Sequence, residues 1–284
     1  MANATVCILH PGEMGAAIGR AARERGARVL WVAAARGEAT RQRAEAAGLE
    51  SAGSLREALG AATVTLSVCP PHAALDVAAS VAALGYRGTY VDANAVSPAT
   101  VRRIAAIVEA AGASLVDGGI VGPPPGSGAE SRLYLCGRHA ERIAALFVGG
   151  PLAPVVLDAP IGAASALKAC YAAWTKGTAA MLASIRALAE HEGIAGALAE
   201  EWRRSQPDLF GRLDRAVANT RKGWRWVGEM EEIAATFAAA NLPAGFHSAS
   251  AEVFRRLEPF KDHGGVTLQD VVGALLQPKP PAGR

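Results

Sequence analysis

The residues best suited to chemistry lie on one predicted helix, in the segment GAASALKACYAAWTKG. Four polar residues recur there every three or four positions and so share one helix face, namely Ser165, Lys168, Tyr171 and Thr175. An amine beside hydroxyl groups can exchange a proton with a substrate carbonyl or hydroxyl. The segment therefore makes Lys168 a candidate for proton transfer, on a helix face that Tyr171 shares. A solvent-exposed helix face with one extended lysine explains the same spacing, so spacing alone leaves both interpretations open.

A glycine-containing turn near residue 12 is a second candidate site. In ILHPGEMGAAIG, Gly12 and Gly15 take the second and third glycine positions of a G-x-G-x-x-G pattern, whereas His10 takes the first. Gly12 would let the backbone approach a pyrophosphate, and Gly15 would let a helix pack on the preceding strand. The turn predicts dinucleotide binding; a tight strand-to-helix turn without a ligand is the alternative.

The second predicted strand bears on the choice of dinucleotide. NAD sites usually end this strand with Asp or Glu, which binds the ribose 2′-OH. The segment RVLWVAAARGEATRQR has no carboxylate before Arg36. Arg36 can receive a 2′-phosphate, and Arg41 or Arg43 can assist, so the sequence favours NADP(H) over NAD(H). A solvated helix start is the alternative explanation of these arginines.

These residues need a scaffold, and the first half of the chain predicts strands that alternate with helices. The predicted strands are residues 5–9, 28–32, 63–68, 89–91, 114–116 and 132–135, and the predicted helices are residues 15–25, 40–47, 73–84 and 98–111. Such alternation is typical of a parallel sheet with crossover helices.

The second half of the chain is predicted to be helical. The helices are residues 165–192, 197–203, 213–221, 226–240, 248–257 and 268–276. We therefore predict an α/β fold class, in which an N-terminal Rossmann-type doubly wound parallel sheet precedes an all-helical C-terminal domain. The predicted domains are a nucleotide-binding domain at 1–160, a helical substrate and dimerisation domain at 161–276 and a disordered tail at 277–284.

Composition excludes several classes of function. The chain has 284 residues, 51% of them hydrophobic, and a formal net charge of +3 without a basic block, which argues against nucleic acid as a partner. The apolar segment 162–188 contains three basic residues, which argues against a membrane span, and no signal peptide is recognised. The four cysteines lack metal-site spacing, so we expect a cytoplasmic protein without a metal or a disulfide framework.

Five motifs in order give a more specific indication: HPGEMG, SVCPP, VDANAVSP, VDGGIVGPPP and GAASALK. With them the chain resembles the β-hydroxyacid dehydrogenase and 6-phosphogluconate dehydrogenase superfamily, which includes the imine reductases. It looks closest to the branch with a C-terminal domain of unknown function. The resemblance covers nearly the whole chain.

The resemblance implies a role for each matched residue. The implied cofactor-binding residues are Gly12, Glu13, Met14, Gly15, Val68, Cys69, Pro70 and Asn94, the last near the nicotinamide ribose. We add His10, Pro11 and Arg36 to the predicted cofactor-binding residues from their positions at the turn and after the second strand. The implied substrate-side loop consists of Gly119, Ile120, Val121 and Gly122, and Lys168 is the implied catalytic lysine. In the leading hypothesis, the substrate oxygen is positioned by Tyr171 and Asn94.

Three positions depart from the family pattern. Val121 stands where the family has a carboxylate-binding serine, Ala172 where it has an asparagine, and Glu229 where a later helix has a lysine. These changes put a simple 3-hydroxy acid in doubt and favour a larger, more apolar or cationic substrate.

Several residues of the second half are candidates to line the pocket for that substrate, and each has an alternative role. The pocket is expected to be lined by three aromatic residues, Trp224, Trp226 and Phe246. Alternatively, these residues belong to the core or to a dimer interface. Glu229 is expected to pair with an amine or with Arg225. His247 is expected to reach the site from a partner chain or to lie on the surface at a helix start.

The leading hypothesis is an NADP(H)-dependent oxidoreductase that acts on CH–OH or C=O groups of a small molecule, with Lys168 as general acid/base. The resemblance also implies a homodimer formed through the C-terminal helices. Imine reduction or reductive amination is the second hypothesis, and a catalytically inactive NADP(H)-binding sensor or scaffold is the third.

Overall fold

The computed structural model describes residues 4–218, 220–261 and 263–277. The chain forms two compact units, Met1–Ala169 and Cys170–Arg284. The division falls inside one continuous helix, whereas the sequence analysis placed it at residue 160. The first turn of that helix is hydrogen-bonded to a strand of the first unit, which is why it belongs there. Residues 278–284 of the expected disordered tail lie outside the described part of the chain.

The first unit alternates strands with helices, as predicted. Its strands are β1 (Thr5–Ile8), β2 (Arg28–Val32), β3 (Glu50–Ala52), β4 (Val64–Ser67), β5 (Thr89–Asp92), β6 (Ser114–Val121), β7 (Ser131–Cys136) and β8 (Leu152–Val156). Its helices are α1 (Glu13–Glu24), α2 (Glu38–Ala46), α3 (Leu55–Ala61), α4 (Ala74–Ala83), α5 (Pro98–Ala110) and α6 (Ala140–Ala144). The helix α7 (Ala163–His191) begins in this unit.

The eight strands form one sheet in the order β3-β2-β1-β4-β5-β6-β7-β8. All neighbouring strands are parallel except β6 and β7. The chain runs from β1 outward to β3 and then returns to place β4 on the other side of β1. This reversal creates a crevice at the carboxyl ends of β1 and β4, where ligands bind in doubly wound sheets.

Both faces of the sheet are buried, which explains the apolar runs of its strands. Val6 and Ile8 belong to one hydrophobic cluster, and Cys7 and Leu9 belong to another. Helices therefore cover both sides of the sheet. The predicted Rossmann-type fold is confirmed, and the carboxyl ends of β1 to β6 lie at one edge of the layer.

Four short elements escaped the sequence analysis, namely β3, α3, α6 and β8. The strand β3 has three residues and only one is buried, so it carries almost no pattern. Pro154 interrupts the apolar run of β8, which is an edge strand, where proline costs no hydrogen bond within the sheet.

In the described part of the second unit, the chain beyond the end of α7 forms helices. These are α8 (Ala195–Ser205), α9 (Leu209–Ala218), α10 (Trp226–Ala239), α11 (Gly245–Arg256) and α12 (Leu268–Leu276). The helices α10 and α11 pack against each other and bury Met230, Ile233 and Phe254. Among the described residues, no helix has the length and apolarity needed to cross a bilayer.

Candidate functional site

The turn after β1 begins the candidate site. Gly12 is the N-cap residue of α1, and no side chain caps this helix. A Cβ at Gly12 would meet nothing within 4 Å, so open space lies before the start of the helix. A Cβ at Gly15 would collide with the carbonyl oxygen of His10, so only glycine allows the helix to start so close to β1. The open helix N-terminus fits the diphosphate of a dinucleotide, as predicted for this turn.

His10 and Arg36 lie together at this end of β1. Arg36 Nη2 donates to the carbonyl oxygen of Leu9 at 3.3 Å, although Arg36 follows β2. Burial, with a smaller contribution from the charge of Arg36, lowers the pKa of His10 to about 4, so the imidazole is neutral. Within the described ranges, neither His10 Nδ1 nor Arg36 Nε, both buried, has a hydrogen-bond partner. Both atoms can therefore serve a polar ligand.

The other two arginines of this region are used locally. Arg41 Nε donates to the carbonyl oxygen of Arg36 at 3.2 Å, and Arg43 Nη2 donates to Thr40 Oγ1 at 3.2 Å within its own helix. Ala35, just before Arg36, has a φ of 57°, which non-glycine residues rarely adopt. Arg41 and the backbone turn at Ala35 thus position Arg36.

A buried hydrogen-bond network holds the loop after β4. The amide of Asn94 donates to Ser67 Oγ at 3.1 Å and to Asp92 Oδ2 at 2.7 Å. Its carbonyl oxygen accepts from the backbone N–H of Cys69 at 2.6 Å. Asn94 is only 1% exposed and both of its amide hydrogens are used, so its side chain positions the Val68–Pro70 loop. Because its amide hydrogens are used in these bonds, Asn94 could orient the substrate oxygen, as expected, only by giving up one of them.

Two titratable groups of the network have raised pKa values. Burial raises the pKa of Asp92 to about 7, although Asn94 donates to both carboxylate oxygens. Burial also raises the pKa of the Cys69 thiol to about 11, so it is protonated and suited to packing beside a ligand. Val68 is half-buried and Pro70 is exposed, so this loop offers apolar surface at the crevice.

The strand β6 positions the predicted catalytic lysine. Asp117 is fully buried, and its Oδ2 accepts from the backbone N–H groups of Gly162, Ala164 and Ser165 at 2.8, 3.1 and 3.2 Å. Its Oδ1 accepts from Ser165 Oγ at 2.7 Å. Asp117 therefore caps α7 from a neighbouring strand, and a carboxylate is favourable at a helix N-terminus.

Close packing of β6 on α7 brings Lys168 to the strand end. A Cβ at Gly119 would lie 2.5 Å from the carbonyl oxygen of Ala164 and 3.4 Å from the Lys168 Cβ. With glycine there, Lys168 Nζ donates to the carbonyl oxygen of Ile120 at 2.8 Å. The ammonium group is thus fixed at the carboxyl end of β6, where proton transfer to a ligand is geometrically possible.

The predicted substrate-side loop needs a correction. The strand β6 includes Gly119, Ile120 and Val121, which are buried. The strand continues beneath α7 because Gly119 has no side chain to collide with that helix. Of the four residues, only Gly122 is exposed, with a φ of 116°. Tyr171, the other predicted catalytic residue, is 50% exposed in the second unit, and its role stays a prediction.

The remaining predicted substrate residues lie in the second unit. Glu229 is 7% exposed and forms an ion pair with Lys176, a partner that the sequence analysis did not consider. Trp226 packs edge-on against Phe254 with ring centroids 5.0 Å apart.

His247 is not the surface histidine that one interpretation expected. It is 8% exposed, and its ring centroid lies 4.2 Å from that of Phe237. Burial lowers its pKa. The substrate roles of Trp226, Glu229 and His247 stay predictions.

Two residues that matter for the site were missed by the sequence analysis. Asp117 lies inside β6, and its partners at the start of α7 are 45 to 48 positions later, so no local pattern signals its role. Lys176 lies two turns after Lys168 and was taken only as evidence against a membrane span. In the described ranges, no group of three or more His, Cys, Asp or Glu side chains can hold a metal ion.

Comparisons with known proteins agree with this architecture. Residues 5–146 match the NAD binding domain of 6-phosphogluconate dehydrogenase, and residues 189–257 match a domain of unknown function. A conserved protein of unknown function, described as structurally similar to 3-hydroxyacid dehydrogenases, is 26% identical with a TM-score of 0.67 over 90% of this chain and 97% of its own.

Two enzymes share the fold at lower identity. The 3-hydroxyisobutyrate dehydrogenase of Mycobacterium tuberculosis, solved with L-serine, is 18% identical with a TM-score of 0.73 over 98% of this chain and 100% of its own. An imine reductase of Streptomyces aurantiacus is 20% identical with a TM-score of 0.53 over 96% and 100%. Because the match to the nucleotide-binding domain spans half of the chain, this protein belongs to the family of the NAD binding domain of 6-phosphogluconate dehydrogenase.

Proposed function

We propose that this protein is an NADP(H)-dependent oxidoreductase that acts on a CH–OH or C=O group of a small molecule. The open glycine turn at the crevice supports cofactor binding, and the position of Lys168 supports catalysis. When bound, the nicotinamide supplies hydride transfer. The protein's residues bind the cofactor, exclude water and move the proton.

The observation that carries the proposal is the hydrogen bond from Lys168 Nζ to the carbonyl oxygen of Ile120. This bond holds the amine at the carboxyl end of β6, where an amine can exchange a proton with a ligand oxygen. Lys168 is therefore the proposed general acid/base, which donates a proton to the oxygen during reduction and accepts it during oxidation. Tyr171, three residues later on α7, is proposed to orient the same oxygen.

Arg36 is the residue proposed to favour NADP(H) over NAD(H). Its Nε is buried without a hydrogen-bond partner in the described part of the chain, and His10 beside it is neutral. A 2′-phosphate accepts charge-assisted hydrogen bonds from a guanidinium group, which a 2′-hydroxyl cannot do as strongly. Arg36 and His10 are therefore proposed to receive this phosphate.

Cofactor titration tests the first half of the proposal. NADPH and NADH are titrated by tryptophan quenching against the unaltered protein, Arg36→Ala and the matched control Arg56→Ala, which removes an exposed arginine of α3. We expect Arg36→Ala to weaken NADPH by about 10- to 100-fold, or about 1.4–2.8 kcal/mol, with little change for NADH. Equal affinity for both nucleotides in the unaltered protein would contradict the NADP(H) assignment.

Turnover of Lys168→Met tests the second half. A screen of hydroxy acids, ketones and cyclic imines with the preferred nucleotide identifies a substrate class. We expect Lys168→Met to lower kcat by about 10²- to 10⁴-fold while nucleotide affinity stays unchanged. The matched control is Lys261→Met, which removes a lysine that stacks on Trp224 in the second unit.

Imine reduction is the second candidate function. Val121, in the place of the family's carboxylate-binding serine, is buried and apolar, which disfavours a simple hydroxy acid. Reduction of cyclic imines that survives Lys168→Met would favour this function. NADPH binding without turnover of any compound would instead favour the sensor or scaffold.

We also propose that the protein is a homodimer. Met181, Ile185 and Leu188 are exposed on α7 and follow each other at intervals of four and three residues, so they form one apolar helix face. Light scattering is expected to give a mass of about twice the 29.1 kDa of the chain. The variant Ile185→Glu is expected to give monomers.

A further inference from the structure

The second unit contains a cavity whose lining residues are not used in the function proposed above. It lies between α7, α9 and the start of α10, and its volume is about 310 Å³. Its aromatic lining consists of Trp174 and Trp226. Small or apolar side chains of α7 and α9 line the rest of the cavity. This volume lies at the lower end of the range for ligand pockets, which suits a molecule of one or two rings.

Each tryptophan of the cavity carries a cation. Arg212 Cζ lies 5.7 Å from the centroid of the Trp174 ring, and Lys176 Nζ lies 5.4 Å from that of Trp226. Lys176 is also paired with the buried carboxylate of Glu229. The cation–π contacts and the ion pair hold both charges in place at the wall.

The lining has a net positive charge. Arg215 joins Arg212 and Lys176, and no Asp or Glu is among the lining residues in the described part of the chain. Glu229 offsets one of the three charges through Lys176. Arg212 remains as a guanidinium group at the Trp174 wall, and guanidinium groups bind carboxylates with two parallel hydrogen bonds.

We propose that this cavity binds an organic anion with a flat apolar body, of the aromatic carboxylate class. The ring system lies against Trp174 and Trp226, and the carboxylate is bound by Arg212. Aromatic pairs of this kind favour offset or edge-to-face contacts, which the two indoles can supply from opposite walls. Every lining residue belongs to the second unit.

Three probes with one ring system test the charge requirement. The full chain is titrated by calorimetry with 1-naphthoate, with neutral 1-naphthalenemethanol and with cationic 1-naphthylmethylammonium. We expect 1-naphthoate to bind at least tenfold more tightly than the neutral probe, and the cation to bind more weakly than both. Equal binding of the three would overturn the proposal, because apolar contact alone would then explain it.

Variants of Arg212 test the position of the site. Arg212→Gln is expected to weaken 1-naphthoate at least tenfold, whereas Arg212→Lys, which keeps the charge, is expected to retain part of the affinity. The matched control Arg204→Gln removes an exposed arginine of α8 in the same unit.

Separate readouts keep this test distinct from the proposed function. Circular dichroism and NADPH affinity are expected to be unchanged in Arg212→Gln, and light scattering reports its oligomeric state. Equal 1-naphthoate affinity in Arg212→Gln and Arg204→Gln would refute the assignment to this cavity. Absence of 1-naphthoate binding to the unaltered chain would refute the proposal and leave the two tryptophans as packing residues.

Discussion

Replacing Asp117 by alanine should release the start of α7 from the sheet. The buried carboxylate accepts three backbone N–H groups and the Ser165 hydroxyl, all at 3.2 Å or less. In Asp117→Ala these donors lose their acceptor in a buried setting. Each buried donor without a partner costs about 1–3 kcal/mol. Water entering the vacated space will satisfy some of them, so we expect a loss of about 3–5 kcal/mol.

Hydrogen exchange measures this loss where it arises. We expect the amides of residues 163–169 to exchange at least about 100-fold faster in Asp117→Ala, because a loss of about 3 kcal/mol corresponds to that factor. Turnover should fall as well, since Lys168 is held to Ile120 by the same helix start. Asp117→Asn retains one acceptor oxygen and should give an intermediate effect.

A matched cap elsewhere in the chain provides the control. Asp270 and Thr267 form a capping box at the start of α12, where the aspartate is exposed. Asp270→Ala is expected to cost only about 0.5–2 kcal/mol and to leave the exchange of residues 163–169 unchanged. If Asp117→Ala also leaves that exchange unchanged, the cap does not hold α7, and the reasoning about Lys168 fails with it.

Further predictions concern packing and pH. Gly119→Ala places a Cβ 2.5 Å from the carbonyl oxygen of Ala164 and should lower the free energy of unfolding by about 1–3 kcal/mol, as measured by urea denaturation. Gly60→Ala, where a Cβ meets nothing within 4 Å, should instead raise it by about 0.4–1 kcal/mol. The pKa of His10 falls from 6.5 to about 4 on folding, so its contribution to stability is lost as the pH falls through this range. The pKa of Asp92 rises from 3.8 to about 7, so its contribution is lost as the pH rises through that range. Urea unfolding between about pH 5 and about pH 8 should therefore show opposite changes of slope in His10→Gln and Asp92→Asn, and parallel profiles would contradict both assignments.

The sequence by itself predicted the elements that carry strong local signals. Alternating apolar runs and helices indicated the parallel sheet, because strands buried on both faces must be apolar along their length. The spacing of Gly12 and Gly15 indicated the nucleotide turn, and at Gly15 a Cβ would collide with the backbone of His10. The position of Lys168 on a long helix needed no tertiary information either.

Short elements with weak patterns could not be predicted in this way. The strand β3 has one buried residue, and β8 contains a proline that its place at the sheet edge permits. Their existence depends on neighbouring strands that supply hydrogen bonds, and the local sequence does not report those neighbours.

Only the tertiary structure decided how the candidate site is held. Asp117 and Ser165 are 48 positions apart in the chain, and no periodicity connects them. The fold also brings Lys176 to Glu229 from 53 positions away, a partner that the expected pairing with Arg225 or a substrate amine did not include. Hydrogen bonds and ion pairs depend on distance in space, whereas sequence patterns report which side of an element is buried. The sequence therefore determined the fold class and the predicted chemistry, and the tertiary structure determined which groups position the lysine.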